Sequence, residues 1–532
     1  MADRNILVIG AGIAGLTAGC YLQMNGYPTT ILEMGGSPGG LCTSWKREGY
    51  TFDGCIHWLM GAVPYSQMHH YWLEVGALRD GKISRFTEFK KTEYAPGQFF
   101  SQFADADWLS AEMLRIAPED QKAIASFIRA VKRVSRAHIP GDKAFELFHP
   151  FDWLKLLLQS GPLLRLFARY GKITVAEYAK RFQNPAFREH FAEMMGLDDD
   201  YPAAMLIAVA GWMHAGGVGY PIGGSLSFAR SIETHFRRLG GTLRYHSRVK
   251  RILVENGRAR GVELESGEKR YADVVISAAD GYDTLYRMLE GKHVDTESAQ
   301  RFGSPPGSAS GDRDAPGRLF EPLLQVSIGV DRLLRETAHT VSYLIDRPIV
   351  IDDTHTATRL ETTIYHFDST LAPSGKTAVT VLLHTDFDYW NRLAAEDAER
   401  YEEEKVRIGR EVVAALDSGT PPPDSGEGPG SGFVPHGPRI PGLGEAVEVI
   451  DVMTPVTLHR LTNNHRASIQ GWFPHPRTFR RKISKTLPGL TGFYRIGHWT
   501  TPGGGLPPAL LSARHVAQIL CRQDHRHFTI RT

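Results

Sequence analysis

The fold is decided by a stretch close to the N-terminus, Ile6-Leu7-Val8-Ile9-Gly10-Ala11-Gly12-Ile13-Ala14-Gly15. Its first four residues form a continuous apolar run, which is typical of a parallel strand buried on both faces. Helical spacing of apolar and small residues predicts a helix over 13–25, and Gly26 stands where a C-terminal cap belongs. A second strand is predicted at 29–32. The three elements together predict a βαβ unit of about 30 residues, the length that such a crossover requires.

The glycines of this unit have the spacing G-x-G-x-x-G, which is typical of a dinucleotide-binding turn. The first allows a tight turn, the second lets the backbone approach a pyrophosphate, and the third lets the helix pack on the strand. The free N–H groups at the helix N-terminus favour phosphate. Glu33 follows where a carboxylate accepts hydrogen bonds from a ribose hydroxyl. We therefore expect FAD or NAD, bound by residues 10–15, Glu33 and Met34.

Composition and charge narrow the classes of protein to which the chain can belong. The chain has 532 residues, 42% hydrophobic and 23% charged, so it predicts a globular protein of at least two domains. Lysine plus arginine (61) nearly equal aspartate plus glutamate (59), so no nucleic-acid partner is expected. The four cysteines show no metal-ligand spacing, and a reducing, cytoplasmic location is expected. No signal peptide or apolar run of about 18 residues is present, so no export and no spanning helix are expected.

Further along the chain, regular structure is predicted in several regions. Strand patterns occur at 249–255, 260–265 and 271–277, and helical patterns occur at 111–136 and 187–210. The segments 303–317 and 418–432 are crowded with proline, glycine and serine, which predicts surface loops. Near the C-terminus we expect a strand at 492–497, a loop at 498–508 and a helix at 509–521.

Two glycine-rich segments resemble a known superfamily. The segment with Gly39, Gly40 and Leu41 resembles the amine oxidase and phytoene desaturase superfamily, in which the glycine pair lies along the FAD pyrophosphate. The stretch 498–509, HWTTPGGGLPPA, is similar to the closing motif of bacterial phytoene desaturases, carotenoid isomerases and retinol saturase-like enzymes. The resemblance implies FAD as the cofactor. It also implies contacts from Val249, through its backbone, and from Gly497, His498, Gly505, Leu506 and Pro507.

The resemblance also implies a fold class and a domain organisation. We expect an α/β fold with a Rossmann-like FAD-binding domain of the amine-oxidase type and an interleaved α+β substrate domain. The FAD-binding domain is expected at 1–80, 215–285 and 475–532, and the substrate domain at 81–214 and 286–474. An apolar and basic stretch at 153–167 predicts either a helical pair at a membrane interface or a buried helix pair of the substrate domain. The expected cytoplasmic location therefore includes peripheral attachment to the inner face of the membrane.

The implied chemistry is hydride transfer at flavin N5 to or from carbon–carbon bonds of a hydrophobic polyene. His57, His498 and Trp499 are the candidate catalytic residues, with a core histidine as the competing interpretation of His57. Desaturation, saturation and isomerisation stay open, as does NAD(P)H-dependent reductive cyclisation of a polyene tetramate to a macrolactam. NAD(P)H is expected as electron donor for the reductive reactions. An amine oxidase-type flavoenzyme is a further alternative, and no metal is expected.

Overall fold

The computed structural model of the chain describes residues 4–78, 82–303, 317–417 and 439–530. The two stretches predicted as surface loops lie almost wholly outside the described residues. The strands of the described residues are β1 (Ile6–Ile9), β2 (Thr29–Leu32), β3 (Ser44–Arg47), β4 (Tyr50–Asp53), β5 (Leu59–Met60), β6 (Ile83–Arg85), β7 (Glu88–Ala95), β8 (Gln98–Phe103), β9 (Val218–Pro221), β10 (Thr242–Arg244), β11 (Val249–Glu255), β12 (Arg258–Leu264), β13 (Lys269–Tyr271), β14 (Val274–Ser277), β15 (Leu323–Val330), β16 (Ala338–Val350), β17 (Thr356–Ile364), β18 (Thr377–His384), β19 (Val447–Met453) and β20 (Phe493–Arg495).

The α-helices are likewise distributed over the whole described chain. They are α1 (Ile13–Met24), α2 (Gln67–Glu74), α3 (Ala106–Ile116), α4 (Gln121–Val134), α5 (Pro150–Gln159), α6 (Gly161–Tyr170), α7 (Val175–Ala179), α8 (Pro185–Met194), α9 (Ala203–His214), α10 (Gly224–Arg238), α11 (Thr296–Phe302), α12 (Phe387–Glu396), α13 (Ala398–Asp417), α14 (Leu443–Ala446), α15 (Pro455–Thr462) and α16 (Leu506–Gln523).

A five-stranded parallel sheet with the order β10-β2-β1-β14-β20 carries the N-terminal motif. The buried apolar run at Ile6–Ile9 forms its central strand, as a strand covered on both faces must. The α/β class is confirmed. Each of the three segments assigned to FAD binding contributes at least one strand, but the domain boundaries themselves stay a prediction.

Helices α1 and α16 pack side by side against this sheet and run in the same direction. The amide N–H of Gly497 donates to Ser512 Oγ early in α16, and Gly497 lies beside Ala14 at the start of α1. At the opposite end, Arg526 donates to the carbonyl of Asn25, just beyond α1. The positive N-termini of both helices therefore lie at the same end of the sheet.

A seven-stranded sheet with the order β19-β15-β18-β17-β16-β7-β8 forms the second large layer. One of its faces is apolar and packs against α12 and α13 through a buried cluster that includes Val326, Leu360, Val381, Trp390 and Val412. A separate helical core, built from α3, α4, α6, α7, α8 and α9, lies near β8. Both layers come from the stretches 81–214 and 286–474 that the sequence assigned to the substrate domain.

Several predicted elements differ in detail from the observed ones. The helix predicted at 111–136 is two helices, because Pro118 lacks the N–H that a continuous helix needs. The helix predicted at 187–210 is interrupted between α8 and α9. The strand predicted at 271–277 is also two strands, because the chain leaves an antiparallel sheet after Tyr271 and enters the parallel sheet at Val274. Helix α16 begins at Leu506, since prolines are tolerated in a first turn.

The packing of α16 predicts a pH dependence of stability. His515 on α16 is 7% exposed, its Nε2 lies 3.0 Å from the carbonyl oxygen of Gly141, and burial lowers its pKa from 6.5 to about 4. The unfolded chain binds this proton at higher pH than the folded chain does, so stability falls as the pH drops from 6.5 towards 4. His515→Gln keeps a donor but does not titrate. Between about pH 7.5 and about pH 5 we expect its free energy of unfolding to fall by about 1–2 kcal/mol less than that of the unaltered chain. Urea unfolding at the two pH values measures this.

The matched control is His527→Gln, which changes an exposed histidine near the same terminus. It should leave the pH dependence of unfolding as it is in the unaltered chain. The same loss of stability in His515→Gln and in the unaltered chain would contradict the prediction.

Candidate functional site

The glycine-rich turn brings α1 into direct contact with the end of β1. Gly10 has a φ of +94°, and a Cβ added to Gly15 would lie 1.9 Å from the carbonyl oxygen of Gly10. Only glycine fits at position 15, and its lack of a side chain lets the first turn of α1 lie directly above the end of β1. Gly12 caps the helix without any side-chain hydrogen bond. The first N–H groups of α1, from Ile13 and Ala14 onward, are therefore directed at the space beyond the strand.

Glu33 is fixed at the end of β2 by two backbone donors. Its Oε2 accepts from Ala11 N–H at 2.7 Å and its Oε1 accepts from Gly35 N–H at 2.8 Å. Each carboxylate oxygen can accept a second hydrogen bond, so the group can still bind a hydroxyl. The carbonyl of Glu33 accepts from Ser247 N–H, which brings the segment before β11 alongside. Val249 is buried where β11 begins, and Met34 is half-buried.

The second glycine pair packs directly on the first glycine motif. Gly39 N–H donates to the carbonyl of Ala11 at 2.9 Å, and Gly39 and Gly12 form an isolated parallel bridge. Gly39 has a φ of +108°, and a Cβ there would lie 2.2 Å from the carbonyl oxygen of Cys42. Gly40 also has positive φ, and Leu41 is half-buried. The two glycine motifs thus form one backbone surface.

The C-terminal loop reaches the same surface. Gly497 has a φ of +102° and packs against Ala14 in the first turn of α1. Gly505 begins α16 without a side-chain cap, and Leu506 and Pro507 form its half-buried first turn. Two uncapped parallel helix N-termini, a glycine-only backbone surface and a fixed carboxylate fit the pyrophosphate and ribose of a dinucleotide.

His498 and Trp499 occupy different environments, although they are neighbours in sequence. His498 Nε2 is buried and has no hydrogen-bond partner among the described residues, and burial lowers its pKa to about 4. Trp499 donates from Nε1 to Asn464 Oδ1 at 3.1 Å, and its ring centroid lies 5.1 Å from that of Trp472. His498 therefore carries a neutral imidazole whose Nε2 is enclosed without a described partner, whereas Trp499 is held within an aromatic cluster.

His57 lies on a segment between the two sheets. Its carbonyl oxygen lies 2.6 Å from Nε2 of His339, which is a buried residue of β16. Burial lowers the pKa of His57, and the nearby carboxylates of Asp53 and Glu361 oppose that shift. In the described part of the chain, no hydrogen bond joins His57 to His498 or Trp499. By contrast, the ring centroids of His498 and Trp499 lie 5.2 Å apart.

Asp53 was not identified from the sequence, yet it fixes the segment that carries His57. Its Oδ2 accepts from Tyr220 Oη at 2.6 Å and from Ser225 N–H at 2.9 Å. Its carbonyl oxygen accepts from Gln325 Nε2 of β15 at 2.8 Å. The segment after β4 is therefore held from both sides, by α10 and by the seven-stranded sheet. An aspartate directly before Gly54 was the sequence signal for this role.

The face of the seven-stranded sheet turned towards this segment is polar, which the sequence analysis also missed. Strand register aligns side chains across the strands in two rows, and we call this surface the polar face. One row contains Gln102, Lys90, Thr340, Thr363, Thr380, Ser327 and Asp451, and the other contains Phe100, Thr92, Ser342, Glu361, Leu382, Gln325 and Met453. Alternation along β17, in Arg359-Leu360-Glu361, was the available signal.

The geometry of the first glycine motif predicts two different defects for two alanine substitutions. In Gly12→Ala the nearest atom to the new methyl group is 3.8 Å away, so the stability of the FAD-free protein should be unchanged. The methyl group would stand where the backbone must approach the pyrophosphate, so we expect bound FAD to fall by about tenfold or more. Flavin absorbance per protein and thermal unfolding of the FAD-free protein measure the two effects.

Gly15→Ala is the contrasting variant. Its methyl group would collide with the Gly10 backbone, so the FAD-free protein should lose about 1–3 kcal/mol of stability. Full FAD content in Gly12→Ala would contradict the assignment of this surface to the cofactor.

The curated proteins to which the chain is similar include carotenoid enzymes, all at low identity. It is 24% identical to a lycopene-forming phytoene desaturase of Paracoccus sp. (strain N81106 / MBIC 01143), over 98% of this chain and 97% of the relative. It is 22% identical to prolycopene isomerase 1 of an Oncidium hybrid cultivar, over 95% of this chain and 81% of the relative.

Solved structures share the fold. A putrescine oxidase bound to putrescine matches with a TM-score of 0.57 at 12% identity, covering 98% of this chain and 99% of that one. An oxidoreductase from Methanosarcina mazei matches with a TM-score of 0.55 at 18% identity, over 96% and 99% of the two chains. The family model described as flavin containing amine oxidoreductase matches residues 13–521. This confirms the superfamily resemblance and implies FAD, and the chain belongs to the flavin-containing amine oxidoreductase family.

Proposed function

We propose that the chain uses FAD to remove, add or redistribute hydrogen at carbon–carbon bonds of a long hydrophobic polyene. The observation that carries the proposal is the near full-length similarity to a phytoene desaturase and a prolycopene isomerase. When bound, FAD supplies hydride transfer at its N5 atom. The solved structures that share the fold have lower sequence identity to this chain, and they support the architecture alone.

The chain's own residues have separable roles in this proposal. The first turn of α1, Glu33 and the glycine pair at 39–40 hold the dinucleotide, and the loop at 497–505 closes over it. His498 is assigned to line the flavin with a neutral imidazole, because burial lowers its pKa to about 4. His57 is assigned to hold or move a proton at a substrate carbon, because burial keeps its imidazole neutral near pH 7.

The test of the function is an anaerobic incubation of the FAD-bound protein with a panel of polyenes, with and without NADPH. Mass analysis of the products separates the possible reactions. A gain of hydrogen indicates a reductase, or a reductive cyclase if a ring also forms, and a loss indicates a desaturase. An isomer of unchanged mass indicates an isomerase. Absence of any product or flavin reduction with every polyene would overturn the proposal, and oxidation of an amine would favour the amine oxidase alternative.

His57→Gln tests the proton role. We expect turnover to fall by about 100-fold with FAD content unchanged, because positioned acid–base groups contribute about that much. The lowered pKa of His57 means that activity depending on its neutral form should persist below pH 6.5 and decline only at lower pH. The control is His525→Gln, an exposed histidine. Unchanged turnover in His57→Gln would remove this residue from the chemistry.

We also propose peripheral attachment to the inner face of the membrane through α5, as one of the two interpretations of residues 153–167 predicted. This helix has no buried residue. Five of its large apolar side chains are between 51% and 75% exposed, namely Phe151, Trp153, Leu154, Leu157 and Leu158. Basic side chains adjoin this helix, since Lys143 pairs with Asp152 of α5 and Lys482 is exposed beside Glu146. Among the described helices, none combines the length and apolarity that a membrane crossing needs.

Paired substitutions on α5 test the attachment. In Leu154→Glu/Leu158→Glu, co-sedimentation with vesicles of mixed zwitterionic and anionic phospholipid should fall by about tenfold or more, because each buried leucine contributes about 1.5–3 kcal/mol. Leu333→Glu/Leu461→Glu changes equally exposed leucines elsewhere and should bind vesicles normally. Equal binding by the two double variants would contradict the proposed contact.

A further inference from the structure

Two cysteines lie opposite each other where the hairpin of β3 and β4 ends. The register of the hairpin continues past its strands, since Gly54 N–H donates to the carbonyl of Thr43 at 3.0 Å. Bonded and non-bonded pairs alternate in an antiparallel ladder. The next pair, Cys42 and Cys55, is therefore of the non-bonded kind, in which Cα atoms lie about 4.5 Å apart. Disulfides join Cα atoms about 4.4–6.8 Å apart, so the hairpin sets a spacing that a disulfide can span.

Ser225, in the first turn of α10, holds the two cysteine segments together. Its carbonyl oxygen accepts from Cys42 Sγ at 3.5 Å, and its hydroxyl oxygen accepts from Ile56 N–H at 2.8 Å. Burial raises the pKa of the Cys42 thiol, and the hydrogen-bonding thiol of Cys55 raises it further. Contacts within the hairpin and contacts with α10 thus bring the same two thiols together.

The other two cysteines of the chain have different neighbours. Cys20, on α1, lies within hydrogen-bonding distance of backbone carbonyls at the end of α2 and in α10. Cys521, near the end of α16, interacts with Tyr27. All four cysteines lie within the described residues, and all four are free thiols. The fold therefore sets Cys42 and Cys55 apart as a pair.

The two thiols of this pair differ in their access to solvent. Cys42 is 1% exposed, whereas Cys55 is only half-buried. Oxidation of a cysteine depends on its thiolate character and on its exposure, and a neighbouring thiol converts the sulfenic acid to a disulfide. Cys55 is therefore placed to react with a small oxidant, and Cys42 is placed to react with the product.

We propose that Cys42 and Cys55 are a modification site, at which hydrogen peroxide forms a reversible disulfide. The Cys55 thiolate attacks a peroxide oxygen and the O–O bond breaks. Cys55 becomes a sulfenic acid, and the released hydroxide takes up the proton that the Cys55 thiol lost. The Cys42 sulfur then attacks the Cys55 sulfur, the S–O bond breaks, and the Cys42 proton leaves with the hydroxide as water. The two thiols lose two electrons and two protons, and the peroxide becomes two water molecules.

The disulfide would join two parts of the candidate site. Cys42 follows the glycine pair at 39–40 by two residues, and Cys55 precedes His57 by two residues. Oxidation would therefore tie the backbone surface assigned to FAD to the segment assigned to proton transfer. The pair does not depend on which substrate the protein binds, so this inference goes beyond the proposed function.

The test exposes the fully reduced, FAD-bound protein to hydrogen peroxide, and then alkylates the remaining thiols after unfolding. We expect two of the four thiols to escape alkylation, and a dithiol reductant to restore them. Trypsin cuts after Lys46 and Arg47, between the two cysteines, so mass analysis should find two peptides joined until they are reduced. In a urea-unfolded chain treated in the same way, links should spread over other cysteine pairs, because the hairpin no longer selects one pair.

Three serine variants assign the link to its cysteines. Cys20→Ser is the matched control, because Cys20 shares a tryptic peptide with Cys42, and this variant should keep the link. Cys42→Ser keeps a donor for the carbonyl of Ser225 but cannot close the disulfide, so Cys55 should stay a sulfenic acid that a cyclic diketone traps. Cys55→Ser should leave Cys42 as a free thiol, because Cys42 is buried.

Three results would overturn the proposal. They are four free thiols in the folded protein after exposure to peroxide, a link between a different pair of cysteines, and the same distribution of links in the folded and the unfolded chain. Each of them is measured on the unaltered chain, so the proposal can fail even where a serine variant does not fold. None of them bears on the reaction with polyenes.

Discussion

The close approach of α1 to β1 is the constraint on which the rest of the structure depends. The Gly10 carbonyl occupies the space that any side chain at position 15 would need, so the helix begins directly over the strand end. That contact leaves the first N–H groups of α1 uncapped and directed outward. Glu33, the second glycine pair and the loop at 497–505 then assemble around this one surface. The fold persists at 12% identity in a putrescine oxidase, so it does not depend on most of the side chains around this surface.

Local signals in the sequence were sufficient for the elements that make up this surface. The boundaries of β1 and β2 match the predicted ones, because the apolar runs that form them are encoded within a few residues. The predicted strand at 271–277 was wrong as a single element because its interruption is a long-range effect. Residues 269–271 pair with β12, whereas 274–277 pair with β1 and β20. Nothing within that segment specifies the exchange of partners.

The residues of the candidate site also differ in whether the local sequence could predict them. The glycines and Glu33 could be predicted, since their function depends on spacing along one βαβ unit. The polar face could not, because its rows combine residues from seven strands between positions 88 and 453. A row exists only once the strands are in register, and a shift of one residue would turn each side chain to the opposite face. Asp53 was missed for a related reason, since its partners Tyr220 and Ser225 are more than 160 positions away in sequence.

The segment after β4, on which the candidate residue His57 lies, is held by contacts between residues far apart in sequence. Asp53 is bound by Tyr220 and Ser225 on one side, and its carbonyl is bound by Gln325 of the seven-stranded sheet on the other. Four residues on, the carbonyl of His57 contacts His339 of β16. The orientation of this segment is therefore set before any substrate arrives, which is what a positioned acid–base group requires. Because the same contacts tie β9 and α10 to the seven-stranded sheet, they fix His57 relative to the polar face of that sheet.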